Sequence, residues 1–226
     1  MTTVIVVGEG PTEIDFVQKV LAPPLRASAL FLKGRLVNGR GGALTYARVE
    51  LFLRNTLRES QNTYVTTFFD LYALNNKFPG FYEATKVRDP LQRASLLETR
   101  LHESIVQIAG CRSDRFFAHI QPYEFEALLF TDVEQLTTIE PDWRSFTAQL
   151  RDVRAASASP EHINDGPETH PSKRLERILQ PGYDKVRHGP LALQKIGLAR
   201  LSEECQHFAT WLERIRALPP LRGAQP

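Results

Sequence analysis

The stretch VIVVGEGPTE at residues 4–13 decides the fold. Its four consecutive β-branched apolar residues, ended by Gly8, predict a buried strand. The glycines on both sides of Glu9 predict a tight turn. Apolar residues at helical spacing follow from Ile14 onward, so the segment is predicted to run from strand through turn into helix.

Three more segments have the composition of strands, at residues 29–37, 64–69 and 115–121. Apolar residues at helical spacing lie between them, at residues 43–58 and 90–110. Strands that are separated by helices of this length pair in parallel, with the helices as crossover connections. The sequence therefore predicts an α/β fold with a mostly parallel four-stranded sheet flanked by helices.

The strand pattern fades after residue 130. We predict an α/β core over residues 1–130 and a helical, partly irregular C-terminal extension over residues 131–226 that packs on it. From Lys173 onward the chain has ten Lys or Arg and five Asp or Glu, a net charge of +5, so the total of +2 leaves −3 for residues 1–172. An acidic front and a basic tail are typical of proteins that bind a metal and a polyanion, and chance variation explains them equally well.

Composition excludes several classes of protein. No apolar run approaches the roughly 18 residues of a membrane span. The first residues, Met-Thr-Thr-Val, carry no basic region of the kind that opens a signal peptide. Two cysteines are too few for a disulfide framework or a four-cysteine zinc site. These features predict a cytoplasmic protein with reduced thiols and no membrane partner.

Carboxylates follow three of the four predicted strands. Glu9 and Glu13 come after the first strand, Asp70 after the third, and Glu124 and Glu126 after the fourth. Ligands of open α/β sheets bind beyond the carboxyl ends of the strands, so we expect these side chains to meet there. Clustered carboxylates repel one another unless a cation joins them, and Mg²⁺ prefers oxygen ligands. The pattern predicts a magnesium site formed by these five residues.

The sequence supports these five carboxylates as metal ligands to different degrees. Asp70 is the strongest, because an acid at the end of a central strand has no evident structural purpose. Glu13 is explained equally well as a first-turn acid favoured by the helix dipole. Glu124 and Glu126 are two residues apart on a predicted helix and cannot both face one point. One of them is expected to reach the site and the other to serve as a cap or ion-pair partner.

Five basic residues lie in a segment interrupted by glycine and proline: Lys173, Arg174, Lys185, Arg187 and His188. A solvated surface is the ordinary interpretation of such a run. In the functional interpretation, Lys173 and Lys185 neutralise a phosphate and take part in catalysis. Arg174, Arg187 and His188 would then contact phosphate or nucleic acid, with His188 also able to shuttle a proton.

Residues 4–13, together with the strand that ends at Asp70, resemble the Toprim fold shared by topoisomerases, primases and overcoming-lysogenization-defect (OLD) nucleases. More closely, the chain resembles a bacterial Toprim-like family of unknown function. Matching segments are residues 8–13, 69–72 with 78–80, 121–130, 171–174, and 183–189 with 196–198. The resemblance covers the chain to about Leu212 and implies a Toprim-like core.

The resemblance also implies roles and partners. Glu9 would act as general acid/base or metal ligand, and Asp70 would bind Mg²⁺ or Mn²⁺. Tyr72 stands where the second acid of the family's Asp-x-Asp would be, so one or two metals are possible, with Glu124 or Glu126 as a source of the missing oxygen. Relatives often stand beside an ATPase with an ABC-type head in phage-defence neighbourhoods, which implies such an ATPase partner.

Three functions follow as hypotheses. The first is a Mg²⁺-dependent phosphodiesterase, most simply a nuclease acting on DNA or RNA. The second is a Toprim-shaped binding or regulatory module that serves a partner ATPase without catalysis, and Tyr72 favours it. The third is an enzyme that acts on a small phosphorylated or nucleotide substrate in the same crevice.

Overall fold

A parallel β-sheet forms the centre of the computed structural model, which describes residues 1–37, 44–164, 166 and 168–221. Its strands are β1 (Thr2–Gly8), β2 (Leu30–Leu36), β3 (Thr63–Asp70), β4 (Phe116–Phe117) and β5 (Ile120–Gln121). The last residues of the predicted extension, 222–226, lie outside the described part of the chain.

Helices surround this sheet. They are α1 (Pro11–Phe16), α2 (Ala22–Leu25), α3 (Tyr46–Glu59), α4 (Phe81–Ala84), α5 (Pro90–Ala109), α6 (Val133–Leu136), α7 (Thr147–Ala155), α8 (Pro171–Ile178), α9 (Lys185–Glu204) and α10 (Gln206–Arg216). A π-helical turn at Val17–Leu21 joins α1 to α2, and a buried 3₁₀ segment at Phe125–Thr131 follows β5. No helix among those described is long and apolar enough to cross a bilayer.

All strand pairs are parallel, in the order β2-β1-β3-β4, with β5 also paired to β3. The predicted count of four strands is wrong, because the segment expected at residues 115–121 is divided into β4 and β5. The hydroxyl of Thr67 on β3 lies at this division. It donates to the carbonyl of His119 and accepts the His119 N–H, both at 2.9 Å, and so replaces part of the backbone ladder.

The strand order creates a crevice at the carboxyl end of the sheet. Strand β1 lies between β2 and β3. After β1 the chain forms β2 on one side of it, and the later strands β3 and β4 are added on the other side. Such a reversal opens a gap between the loops that follow the two central strands, and ligands of α/β proteins bind there. In this chain the gap lies beyond Gly8 of β1 and Asp70 of β3.

Both faces of the sheet are covered. Helices α3 and α5 bury apolar side chains against one face, among them Leu53 and Leu101. Helix α1 and the C-terminal helices share a second core on the opposite face. The ring of Phe16 on α1 lies 5.6 Å from Phe125 and 6.0 Å from Phe208 on α10. The C-terminal residues therefore pack into the same core as β1 and hold the elements around the crevice in place.

The start of α10 depends on a buried carboxylate. Glu161 is fully buried, and its two oxygens accept the backbone N–H groups of His207 at 2.9 Å and Phe208 at 3.0 Å. These groups belong to the first turn of a helix, where N–H donors lack partners within the helix. A negative charge at this end is also favoured by the helix dipole.

We expect Glu161→Ala to lower the free energy of unfolding by about 2 kcal/mol, because two buried N–H groups lose their acceptor. The exposed Glu168 supplies a control, and Glu168→Ala should change stability by less than about 0.5 kcal/mol. Urea denaturation followed by circular dichroism measures both values. Equal stabilities for the two variants would show that Glu161 does not hold α10.

Candidate active site

Two carboxylates meet across the crevice between β1 and β3. Glu9 follows β1, and its Oε1 accepts the backbone N–H of Asp70 at 2.5 Å. Asp70 ends β3, and its Oδ1 accepts the backbone N–H of Phe125 at 2.8 Å. Glu9 therefore links the end of β1 to the end of β3, and Asp70 links the end of β3 to the 3₁₀ segment. These bonds fix both side chains in the crevice.

Glu13 enters the same site from the first turn of α1. Its Oε2 accepts the N–H of Gly10 at 2.8 Å, as expected of a first-turn acid. The side chain is nevertheless 1% exposed, with Oε1 directed to the interior. Gly8 makes this packing possible, since a Cβ at Gly8 would lie 3.0 Å from the Cβ of Glu13. The residue thus combines a capping role with a place in the cluster.

The ammonium group of Lys185 lies at the centre of these acids. Its Nζ is 3.2 Å from Asp70 Oδ2, 3.4 Å from Glu13 Oε1 and 3.5 Å from Glu126 Oε2. We call Glu9, Glu13, Asp70 and Glu126, which surround this lysine, the carboxylate cluster. The Lys185 side chain is 38% exposed, so the cluster opens to solvent along its stem.

Helix α9 can deliver Lys185 because a glycine lets it approach the core closely. A Cβ at Gly189 would lie 2.9 Å from a ring carbon of Phe125 and 3.4 Å from Cγ2 of Thr12. Asp184 begins the helix, with its Oδ1 accepting the N–H of Arg187 at 2.8 Å. The first residue of α9 therefore lies directly over the carboxyl end of the sheet.

The structure separates Glu124 from Glu126. Glu126 lies on the 3₁₀ segment, is 1% exposed and belongs to the carboxylate cluster. Glu124 precedes that segment and turns toward α8, where its Oε1 is 3.0 Å from His170 Nδ1 and its Oε2 accepts the N–H of Ser172 at 3.0 Å. Glu126 thus contributes a carboxylate to the cluster, and Glu124 holds the start of a neighbouring helix.

Burial and mutual repulsion set the protonation of the cluster. Burial raises the pKa of Glu126 to about 8, and it raises the pKa of Asp70 to about 6, with Lys185 opposing both shifts. Burial and the charge of Asp70 raise the pKa of Glu9 well above its ordinary value. Burial also lowers the pKa of Lys185, but the surrounding carboxylates outweigh this effect and raise it. At neutral pH, protons and one ammonium group therefore offset the carboxylate charge.

Several buried oxygens of the site have no hydrogen-bond partner among the described residues. They are Glu13 Oε1, both carboxylate oxygens of Glu126 and the hydroxyl of Tyr183. Buried polar atoms without a hydrogen bond are rare in folded proteins. Two of these oxygens, Glu13 Oε1 and Glu126 Oε2, are instead in ion pairs with Lys185 at 3.4 and 3.5 Å. Tyr183 was not singled out by the sequence as a site residue, although it opens the matching segment 183–189.

Carboxylate oxygens are the ligands that Mg²⁺ prefers, and several here make no hydrogen bond, so the donor set fits this ion. The carboxylate oxygens are nevertheless farther apart than they would be around a bound metal ion. No three carboxylates of the cluster offer oxygens that all lie within 4.8 Å of one another. The ammonium group of Lys185 occupies the space between them, so a metal at the centre requires this group to withdraw.

The other basic candidates lie outside the cluster. Lys173 is on an exposed part of α8 and pairs with Glu176 at 2.6 Å. Arg174 donates to the carbonyl of Thr169 at 2.5 Å. Arg187 pairs with Glu140 at 2.6 Å. Of the two predicted catalytic lysines, the structure therefore brings Lys185 to the carboxylates and leaves Lys173 in a surface ion pair.

His188 is buried rather than exposed to a ligand. Its Nδ1 accepts the N–H of Asp184 at 2.9 Å, its Nε2 is 3.3 Å from Glu140 Oε1, and its ring packs edge-on against Trp143 at 4.7 Å. These contacts fix the turn before α9. The structure thus gives His188 a part in positioning the helix that carries Lys185.

Tyr72, in the place of a second acid, lies at the rim of the crevice. Its ring is 5.5 Å from that of Tyr123 and 5.6 Å from that of His170, and its hydroxyl bonds to Asn164. The side chain is 44% exposed. Glu126, from the segment after β5, is the carboxylate that lies beside Asp70 instead.

The fold and the cluster define an α/β protein with an acid-rich site at the reversal point of a parallel sheet. The chain belongs to the family described as "Domain of unknown function (DUF4276)", whose model matches residues 8–216. No curated protein and no solved structure matches the chain. The expected membership of a family of unknown function is confirmed, whereas the relation to Toprim proteins stays a prediction.

Replacing Glu126 by Gln should stabilise the protein more at pH 8 than at pH 5. The pKa of Glu126 is near 8 in the folded protein and near 4.5 in the unfolded chain, so the folded state binds more protons between these values. The free energy of unfolding therefore falls as pH rises through this window. Gln does not titrate, and we expect a gain on the order of 1 kcal/mol at pH 8 that fades toward pH 5.

Urea denaturation at both pH values, with EDTA present, measures this difference. Glu168→Gln is the matched control, because that side chain is largely exposed and should show no such dependence on pH. A Glu126→Gln variant that is less stable than the parent protein at pH 8 contradicts a strained, proton-holding carboxylate.

Proposed function

We propose that this protein is a Mg²⁺-dependent phosphodiesterase that cleaves nucleic acid. One observation carries the proposal. Carboxylates from the first turn of α1, the end of β3 and the segment after β5 converge on the single ammonium group of Lys185 in the crevice. Some of their buried oxygens have no hydrogen-bond partner among the described residues. Such oxygens suit a divalent cation.

In this proposal Asp70 and Glu126 hold the metal, with Glu9 or Glu13 completing the ligand set. A bound Mg²⁺ would polarise a phosphodiester and lower the pKa of a bound water. Burial raises the pKa of Glu9 well above its ordinary value, and its position beside Asp70 is fixed, so it can act as the group that takes up or releases a proton. Its orientation comes from the Asp70 N–H, which occupies one of its two oxygens.

Lys185 supplies positive charge in the same crevice. Because its side chain is partly exposed, its ammonium group can swing from the carboxylates toward a bound phosphate. There it would offset the negative charge that develops in the transition state. The choice of DNA or RNA as substrate, and of an ABC-type ATPase as partner, rests on the Toprim resemblance alone.

A second candidate function is a regulatory module without catalysis. Lys185 supports it, because its ammonium group takes the place where a metal would bind and already pairs with three carboxylates. Tyr72, in the position of a second metal-binding acid, also favours it. In that case the Toprim-like shape would serve a partner ATPase as a binding surface.

We expect Asp70→Asn to abolish metal-dependent cleavage, with a fall of at least about 100-fold, because the amide removes a charged metal ligand at the end of β3. Cleavage of single-stranded and duplex DNA and RNA by purified protein, with Mg²⁺ or Mn²⁺ and with EDTA, measures this effect. Asp152→Asn, an exposed change on α7, is the control. Cleavage that survives Asp70→Asn would rule out the assignment, and its absence from the parent protein with and without the ATPase would favour the regulatory module.

Replacing Lys185 by Ala should separate metal binding from catalysis. Without the competing ammonium group, we expect Mn²⁺ to bind at least about tenfold more tightly, as measured by calorimetry. Cleavage should nevertheless fall, because the phosphate loses its neutralising group.

Lys173→Ala is the matched control, since Lys173 lies in a surface ion pair, and it should leave both properties within about twofold. Unchanged Mn²⁺ affinity in the Lys185→Ala variant would show that this lysine does not occupy the metal position.

A further inference from the structure

A second polar site lies at the edge of the sheet formed by β4 and β5, away from the carboxylate cluster. A cavity of about 710 Å³ opens between α5 and α10, beside the strand that β4 and β5 form. It is lined by residues of both helices and of the connection between the two strands. None of the four clustered carboxylates lines it, and neither does Lys185.

Three potential metal ligands come together on the wall of this cavity. Glu98 comes from α5, His119 from the break between β4 and β5, and His207 from the first turn of α10. His207 Nε2 is 2.7 Å from Glu98 Oε1, and His119 Nδ1 is 3.5 Å from the same oxygen. One ligand atom from each residue lies within 4.8 Å of the others.

Backbone and ring contacts hold these ligands in place. Glu98 Oε1 also accepts the N–H of Ile120 at 2.7 Å, which fixes the carboxylate against the sheet. The ring of His119 is stacked between those of His207, at 5.2 Å, and Trp211, at 4.6 Å. Side chains that are held this firmly by their surroundings form a preorganised ligand set.

The buried ring of His119 has a neighbour on each side. It is 1% exposed, and the side chain of Gln121, fully buried two residues along, bonds to His119 and to Glu161. The Nδ1 atom of His119 lies 3.5 Å from Glu98 Oε1. This nitrogen therefore faces the other two candidate ligands.

We propose that Glu98, His119 and His207 form a binding site for a zinc-class divalent ion. Two imidazole nitrogens and one carboxylate oxygen are a donor set that suits Zn²⁺ better than Mg²⁺. Three protein ligands leave a fourth position for water or an anionic ligand, and all three residues line the cavity. The ion replaces the proton that His207 and Glu98 now share. This site is independent of the proposed phosphodiesterase centre.

Co²⁺ is the probe for the test, because it takes zinc sites and absorbs visible light when bound at low coordination number. Full-length protein is stripped with a chelator and titrated with Co²⁺ in the presence of excess Mg²⁺, which occupies sites built only of carboxylates. We expect one equivalent to bind, with a visible band that Zn²⁺ abolishes. Trp211 gives a second signal, since its ring lies on His119 and its fluorescence should change on Zn²⁺ binding.

Variants assign the signal to these ligands. Glu98→Gln keeps an acceptor for the Ile120 N–H, and His119→Gln removes one imidazole, so each should lower the affinity for Co²⁺ by at least about tenfold. His102→Gln is the matched control, because His102 lies on α5 and stacks on Phe116 away from the cavity. Circular dichroism checks that each variant is folded.

Two results would overturn the proposal. The first is a parent protein that shows neither the Co²⁺ band nor the fluorescence change. The second is a band that persists in folded Glu98→Gln and His119→Gln variants or disappears in Asp70→Asn, which would place the ion elsewhere. Either result would make the three residues a hydrogen-bonded tie between α5, the sheet and α10.

Discussion

The meeting of one ammonium group with buried carboxylates is the interaction on which this molecule depends. Lys185 lies within 3.5 Å of Asp70, Glu13 and Glu126, which come from three separate parts of the chain. Without this ammonium group, carboxylates so deeply buried would repel one another or take up further protons. The contact therefore joins the carboxyl end of the sheet to the C-terminal helices. It also means that any metal must compete with a tethered cation.

The outline of the fold could be predicted from local patterns. The β-branched run before Gly8 and the helical spacing of residues 90–110 are strong signals, because each depends on neighbours in the sequence. The break between β4 and β5 was beyond such patterns. At the break His119 bonds to the hydroxyl of Thr67, 52 residues away in sequence, and no local feature of the sequence near His119 predicts that contact.

The candidate site was predictable in part. The meeting of Glu9 and Asp70 could be predicted, because the carboxyl ends of parallel strands meet at one edge of a sheet and this does not depend on the neighbouring side chains. The place of Lys185 depends on packing between residues 115 apart in sequence. Glu126 reaches the cluster from a 3₁₀ segment, a conformation that the periodicity of the sequence does not predict. His119 and His207 are far apart in the sequence and do not have the short spacing typical of metal-binding motifs. Only the fold brings them to Glu98.

The interrupted strand also bears on how the protein behaves in a crowded solution. A sheet edge with a long row of free N–H and C=O groups can recruit a strand from another molecule and start aggregation. Here one outer strand consists of two pieces of two residues each. The other outer strand carries Lys33 and Arg35, whose charges oppose stacking against a like strand. A short, divided strand at one edge and charged side chains at the other thus help to keep neighbouring molecules from joining their sheets.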